Sequence, residues 1–500
     1  MKRTFEFLID ENFKPVQTAS FEVPSLSNSI CISHNIPEQI ASVITLVVVD
    51  TQNRVRLQKQ FGYSEKILSI GVQSEITTIG GIPGKIETGN WKIILYVPIE
   101  YIKRGLNGRK IPFEINVSDE HKKITEHVGE QIWVNNNFEY KYYNERKVYR
   151  EGERWYKGDF HAHTRLSDGK ESPERVTEKA EYMNLDFYTA TEHNVMHTGW
   201  SMTDMLVLPG VEVTTILGHA NLFGLKKRPE FLDDILEFNC NIKELSQLWE
   251  KVNNWCKDNN VLFSINHPFL YEWKWLYDDM SLKDVSCLEI INDPTYEAVE
   301  IAHGKEANEL AVKLADLLWA DGHRICAVGG SDSHNRIDEF YEGACEPSIA
   351  GDPATWLIMK ELSANSVYQT LRQCRACVTR YIDNFQIELY ADSGKIYPGD
   401  KIDSHIRSIK WKIIFESKNH KPQLFYILNG IRYSLLLNEK DNYVYEAEGM
   451  ISLEDIDYNW LRFGATGEEN EFMLYTNPIT RGEKKSLLNT FGEAKRKLGI

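Results

Sequence analysis

The stretch Trp155-Tyr-Lys-Gly-Asp-Phe-His161-Ala-His163-Thr-Arg165-Leu-Ser-Asp168-Gly169 decides how the chain is read. A short apolar-to-polar run ends in two histidines one residue apart, and an Asp-Gly turn follows. If Tyr156 to His163 is a strand, its side chains alternate between faces, so His161 and His163 point the same way. Two imidazoles on one side of a strand end can grip one cation, and a borderline divalent ion is the usual guest. Alone, His-x-His describes a satisfied pair of core histidines equally well. The rest of the chain must discriminate.

Moving outward, the region from 155 to about 380 alternates short apolar runs with helical segments, the pattern of βα units and a parallel sheet. Ser172 and Pro173 mark a helix start. Ile242 to Lys257 has apolar residues at helical spacing, and Glu297 to Ala320 predicts a longer helix with Ala302, Leu310, Leu314 and Leu317 on its buried face. The runs carry the chemistry. Leu185–Thr191 leads into Glu192-His193-Asn194, and Met205–Val211 leads into Glu212. His219 begins the run His219–Phe223, Val261–Asn266 leads into His267, and Arg324–Gly330 leads into Ser331-Asp332-Ser333-His334. In a barrel of parallel strands the C-terminal face is where active sites sit.

The flanks are different. Residues 1–145 read as all-β, with strand-rich runs such as Ala41–Asp50 and Asn90–Pro98 and strong turn punctuation at Gly80–Gly84. A β-sandwich is the predicted form. Residues 135–154 read as a polar linker, and 385–500 returns to β character as a second, smaller sandwich. The N-terminal flank clusters no catalytic residue types.

The chain has 500 residues and a formal net charge of −16, which opposes a nucleic-acid-coating surface and suits a protein that holds bound cations. No signal peptide or membrane-spanning run is visible. The eight cysteines (31, 240, 256, 287, 326, 345, 374, 377) are scattered, which predicts reduced thiols in a cytoplasmic protein, with Cys374 and Cys377 at a buried helix end.

Together the run ends supply His161, His163, Asp168, His193, Glu212, His219, His267, Asp332 and His334. Six imidazoles with three carboxylates suit Zn, Mn or Fe better than Ca or Mg. Taken in order, H-x-H-T-x-x-S-D-G, T-E-H-N, G-x-E, G-H-x-N, N-H-P and G-S-D-x-H resemble the motif series of the PHP-domain metallohydrolases. Gly399-Asp400 and Tyr475–Ile479 are similar to the tail of the CehA/McbA-like subgroup, whereas Cys374-Arg375 stands where that subgroup suggests Gly-Arg.

The resemblance implies an α/β fold: a PHP-type distorted (β/α)7 barrel over 155–384, flanked by N-terminal and C-terminal β-sandwich domains over 1–145 and 385–500. It also implies a trinuclear metal centre, and the residue mixture suits two or three divalent ions per chain. By that analogy His161, His163, Glu212 and Asp332 hold one metal, and Glu212 bridges to a second held by His219 and His267. Asp168, His193 and His334 hold the third. The implied reaction is hydrolysis of a small phosphorylated metabolite or nucleotide by a metal-bridging hydroxide, with Glu212 and Asp332 central to catalysis. Arg165 and Arg336, inside and just after motifs, are candidates to hold the anion, and His197 is a candidate extra ligand or proton donor.

Two other readings stand beside it. The same centre could cleave a carbamate, ester or amide, or the chain could be a binding protein with a structural metal. The intact ligand set opposes the latter. The expected partner is a small-molecule substrate, with no nucleic acid and no membrane. The aromatic segment Phe269–Tyr277 either walls the pocket or plugs against the N-terminal sandwich.

Overall fold

Two four-stranded antiparallel sheets open the chain. One orders its strands Lys2–Ile9, Ile111–Ser118, Ser29–His34, Ile67–Gly71, and the other Val16–Val23, Gly89–Tyr96, Thr45–Val49, Val55–Gln60. Their inner faces share one core that includes Ile32, Val48, Trp91 and Ile115. The computed structural model describes every residue except 64, 107–108, 239–240, 300–302 and 442, and omits the side chains of 104–106 and 441. Ala302 and Cys240 therefore lie outside the described residues. Among the described residues the seven cysteines are free thiols, and no helix is long and apolar enough to cross a membrane.

The centre of the molecule is mixed α/β and rich in strands. Its hydrogen-bonded path runs Cys326–Gly330, Cys287–Asn292, Leu262–Ile265, Gly218–Phe223, Leu206–Thr215, Phe187–Ala190, Arg150–Asp159, then Ala354–Leu362 and Ala376–Thr379. The Arg150, Phe187 and Leu206 strands pair in parallel, as do the Leu262, Cys287 and Cys326 strands. Gly218–Phe223 is the exception to the expected parallel sheet. It is antiparallel to both neighbours because it returns through a tight hairpin after Thr215. At the far side Ala162 and Ser333, just past two strand ends, form a parallel bridge.

The helices pack as amphipathic segments. Ser172 caps Pro173–Tyr182 by accepting from the Arg175 N–H, and Asn241 caps Ile242–Asp258 in the same way through Glu244. The predicted long helix starts later, at Gly304, after a short 3-10 turn over Pro294–Ala298. Its buried face is Ala307, Ala311, Leu314, Ala315 and Leu318. Leu310 and Leu317 are only partly buried, so the stripe is rotated from the one expected.

Residues 135–154 are not a free linker. Phe138 and Tyr140 are buried, the Tyr140 hydroxyl donates to the His197 carbonyl (2.8 Å), and the Tyr143 hydroxyl donates to the Val207 carbonyl (2.8 Å). Beyond 384 the chain forms a five-stranded sheet ordered Gly394–Ile396, Asn384–Ala391, Ser408–Glu416, Val444–Ser452, Asn438–Asp441. It faces strands Gln423–Leu428, Tyr458–Thr466 and Phe472–Thr476, which continue the central sheet through pairing with Ala376–Thr379. Phe385, Ile413, Leu424 and Phe463 belong to the core between them. Cys374 has φ +58°, the left-handed backbone that favours glycine, and it is buried at the end of helix Ala364–Arg372.

Candidate metal centre

The antiparallel strand explains a puzzle in the sequence, where His219 begins a run while the other candidates follow one. The start of an antiparallel strand lies at the same rim as the ends of its parallel neighbours. In the hairpin Thr214 faces His219 and Glu212 faces Asn221, so both strands present the same face to that rim.

All nine candidate ligands meet there. Glu212 is the hub, with its carboxylate 3.1 Å from His161 Nε2, 3.6 Å from His163 Nε2 and 2.7 Å from His193 Nδ1. His219 Nδ1 lies at 3.2 Å and His267 Nε2 at 3.5 Å from the same group. Asp332 adds contacts to His163 Nε2 (3.0 Å), His161 Nε2 (3.3 Å) and His334 Nδ1 (3.6 Å). Asp168 lies 3.5 Å from His193 Nε2 and 3.3 Å from His334 Nε2. His161 and His163 follow the strand rather than end it, since the strand stops at Asp159, yet both imidazoles face the same carboxylates.

Backbone hydrogen bonds set these positions. Buried Asp159 accepts from the N–H groups of His161 (3.0 Å), Ser331 (3.1 Å) and Gly351 (2.8 Å), tying the first and last motifs together. The His161 carbonyl accepts from the Asp332 N–H (2.6 Å), and the Ser333 carbonyl from the His163 N–H (3.2 Å). Gly330 permits the approach, because a Cβ there would lie 2.3 Å from His161 Cβ. Asp332 (φ +48°) and His267 (φ +26°) sit in backbone conformations that side chains rarely adopt, which cost about 1–3 kcal/mol each and persist at functional sites.

The residues fit a divalent cation. His161 Nε2, His163 Nε2, Asp168 Oδ1, His219 Nδ1 and Asp332 Oδ1 are buried without a hydrogen-bond partner, although each points at another candidate ligand. Buried polar atoms are rarely left so. Among the described residues, four sets bring their donor atoms within 4.8 Å of one another: His163/Asp168/His193/His334, His161/His163/Glu212, His193/Glu212/His219 and His161/His267/Glu289. Burial holds His163 and His219 down at about 4, so both are neutral imidazoles with a lone pair to give. Burial would raise Glu212, but His161, His193 and His219 around it hold it far below the carboxylate range. Burial would likewise lower His334, yet Asp168 and Asp332 raise it to about 10. The cluster draws positive charge, and a cation would take the place of such protons.

Glu289 was missed by the sequence reading. It accepts from, or shares a proton with, His161 Nδ1 (2.9 Å), and it also accepts from the His267 N–H (2.7 Å). A carboxylate on the far nitrogen of a ligating histidine fixes its ring and tautomer. The available signal was an acid inside the apolar run Cys287–Ile291. Asn266 and Asn292 donate to Glu212 (2.9 Å) and Asp332 (3.2 Å).

The arginines are elsewhere. Arg165 donates to Glu126 and, through Nε, to the Lys170 carbonyl (2.9 Å), while Arg336 is exposed. Neither lines the cavity of about 360 Å³ over the cluster. His197 does not face the metal cluster but contacts Glu192 (2.8 Å) and Thr164 Oγ1 (3.2 Å). Leu270, Trp273, Tyr296 and Tyr341 wall the cavity, and Ser42 and Tyr63 of the N-terminal region complete it. The aromatic segment is thus divided. Trp273 reaches the cavity, whereas Phe269 and Trp275 pack on Phe491 of helix Phe491–Leu498 instead of on the N-terminal sheets. A larger cavity of about 480 Å³ lies apart, and its cations are engaged: Arg380 with Asp352 and Glu346, Lys157 with the Met183 carbonyl.

Comparison with protein-family models finds no match, and comparison with curated proteins finds none. Among solved structures, the chain is similar to a two-domain protein from Bacteroides vulgatus containing a predicted PHP-like metal-dependent phosphoesterase. The two are 15% identical over 70% of this chain and 98% of that one, with a TM-score of 0.34. It is also similar to PliG, a periplasmic inhibitor of g-type lysozyme from Aeromonas hydrophila, with 10% identity over 23% of this chain and 84% of that one and a TM-score of 0.16. The functional reading therefore rests on the side chains.

Proposed function

We propose that this chain is a metal-dependent hydrolase of the PHP type, CehA/McbA-like, that cleaves a phosphoester in a small-molecule substrate. The observation that carries the reading is the convergence of nine separated motif residues on one rim, with buried donor atoms of His161, His163, Asp168, His219 and Asp332 unsatisfied. The seven strands from Arg150–Asp159 to Cys326–Gly330, with the Ala162–Ser333 bridge between their outer ends, support a distorted (β/α)7 barrel over 155–384. Sandwich domains over 1–145 and 385–500 complete the proposal.

His161, His163, Asp168, His193, Glu212, His219, His267, Asp332 and His334 would hold two or three ions of Zn, Mn or Fe. Bound divalent ions acidify water to a nucleophile near neutral pH and neutralise charge developing on the substrate. The chain's own part is to place and shield. Glu289 orients His161, Asn266 and Asn292 hold the carboxylates of Glu212 and Asp332, and Trp273, Tyr296 and Tyr341 keep one side of the cavity apolar.

One observation favours a second reading. Among the described residues no arginine lines the cavity, and its lysine, Lys170, is already paired with Glu339, so a carbamate or carboxylic ester would suit the site as well as a phosphate. The test is elemental analysis of purified protein beside hydrolysis of phosphomonoester, phosphodiester and carboxyl-ester model substrates. Two to three equivalents of metal with phosphate release is expected. Metal with ester cleavage alone replaces phosphate by acyl chemistry, and less than one equivalent without turnover after metal addition overturns the enzyme.

A further inference from the structure

Asp168 reaches the cluster on the loop 164–168, and that loop is held from two sides. On the inside, buried Glu192 accepts from the N–H groups of Thr164 (3.0 Å) and Ser167 (3.2 Å) and from both hydroxyls. On the outside stands the N-terminal strand Val55–Gln60. The Gln60 N–H donates to the Leu166 carbonyl (3.1 Å), and the ammonium of fully buried Lys59 donates to the Arg165 carbonyl. Arg165 in turn pairs with Glu126, another N-terminal residue. Gly62 lies so close that a Cβ would meet the Ser167 carbonyl at 2.3 Å, and Leu166 packs with Ile79 and Val195. Arg165 and Leu166 are thus bonded to the strand Val55–Gln60, and Ser167 lies against Gly62 just beyond it.

A β-sandwich has no need of a buried ammonium, which is costly to desolvate. Burial lowers the Lys59 ammonium to about 8, and Lys59 makes sense only through what it touches: the Arg165 carbonyl, with Glu126 and Glu192 partly offsetting that cost. We propose that Lys59 is a positioning residue of the metal centre: by fixing the 164–168 loop it sets the affinity of the Asp168/His193/His334 position and leaves the Glu212/His219/His267 side alone. This rests on the reading that the cluster holds metal. Residues behind the direct ligands commonly change metal affinity by about 10–100-fold.

The experiment is Co²⁺ titration of the full chain, followed by visible absorption and by chelator competition, for wild type, Lys59→Met, Lys59→Arg and Asp168→Asn. Lys59→Met is expected to weaken one class of Co²⁺ site by about 10–100-fold, to lose the spectral component that Asp168→Asn also loses, and to leave the other class unchanged. Lys59→Arg is expected to restore most of that component. Wild-type affinity in Lys59→Met, or equal weakening of every class, overturns the proposal. If Lys59→Met does not fold, Glu126→Gln, which frees Arg165 while keeping Lys59, is read by the same criteria. Wild type that takes up no Co²⁺ defeats the metal reading itself, and that result is visible before any variant is made.

Discussion

The N-terminal and C-terminal sheets both brace the central strands, but at opposite ends. The N-terminal sheets hold the rim that carries the ligands. Besides the contacts to the 164–168 loop, the Gln58 amide donates to the Met196 carbonyl (2.9 Å), the Thr198 hydroxyl donates to the Gly81 carbonyl (2.6 Å), and Arg228 Nε donates to Gln58 (2.8 Å). The C-terminal sheets hold the foot. The Asn477 side chain accepts from the Ala327 N–H (2.8 Å) and donates to the Ala327 (2.9 Å) and Ala376 (3.0 Å) carbonyls, near the start of the strand whose other end leads to Asp332. Arg462 pairs with Asp316 through two bonds (2.6 and 2.8 Å), and the Tyr458 hydroxyl donates to the Trp319 carbonyl (2.7 Å). In strand-and-helix architectures the C-terminal ends of strands serve chemistry and the N-terminal ends serve stability. The two flanks divide along that line.

The sharpest way to break this division is at Gly62. Its φ of +36° and the 2.3 Å approach to the Ser167 carbonyl leave no room for a side chain. Gly62→Ala should cost about 2–4 kcal/mol from backbone strain and overpacking, and it should also lower bound metal, read by thermal unfolding and elemental analysis on one sample. Stability loss with full metal content would erase the special role of the N-terminal sheets. The counterpart is Arg462→Met. Removing the buried guanidinium leaves Asp316, itself partly exposed, with the Tyr475 hydroxyl (3.2 Å) and should lower stability by roughly 2–3 kcal/mol, while Co²⁺ affinity stays at the wild-type value. A loss of metal in this variant would show that the foot also tunes the rim.

The smallest effect concerns pH. Burial holds His34, in the N-terminal strand Ser29–His34, down at about 4 from an ordinary 6.5. The unfolded chain therefore takes up this proton before the folded one does. The stabilisation is complete above about pH 6.5 and is lost as pH falls towards 4, with about 2 kcal/mol lost between pH 7 and pH 5. Amide protection in the Ser29–His34 strand, taken relative to the intrinsic exchange rate at each pH, should fall between pH 7 and pH 5 while protection in Ser408–Glu416 does not, and His34→Leu should flatten the response. An equal fall of protection in both strands would remove this distinction between the flanks.

Much of the candidate site was legible because histidines and acids immediately beside apolar runs are chemically conspicuous, and nine of them in order left little room for coincidence. What escaped has identifiable causes. Glu289 is hidden inside a run, where an acid looks like an interruption until its partner His161 is known. Arg165 and Arg336 lie in or beside motifs, but adjacency along the chain does not say which way a long side chain turns, and Glu126, some forty residues away, captures the first. The β character of the two flanks follows from runs rich in β-branched and aromatic residues broken by turn residues. The antiparallel turn of Gly218–Phe223 does not, since an apolar run carries no direction. The rotated face of helix Gly304–Ala320 shows that period can be read more safely than phase.

The hairpin between Thr215 and Gly218 has a consequence for how the loop can change length. Thr214 stands opposite His219, and the face a strand presents reverses with every residue of slip. Inserting one residue into this turn would aim Ala220 at Glu212 and send His219 to the opposite side, whereas inserting two could be absorbed with the imidazole still inward. The turn behaves as a parity lock: tolerance here depends on whether the number of added residues is odd or even.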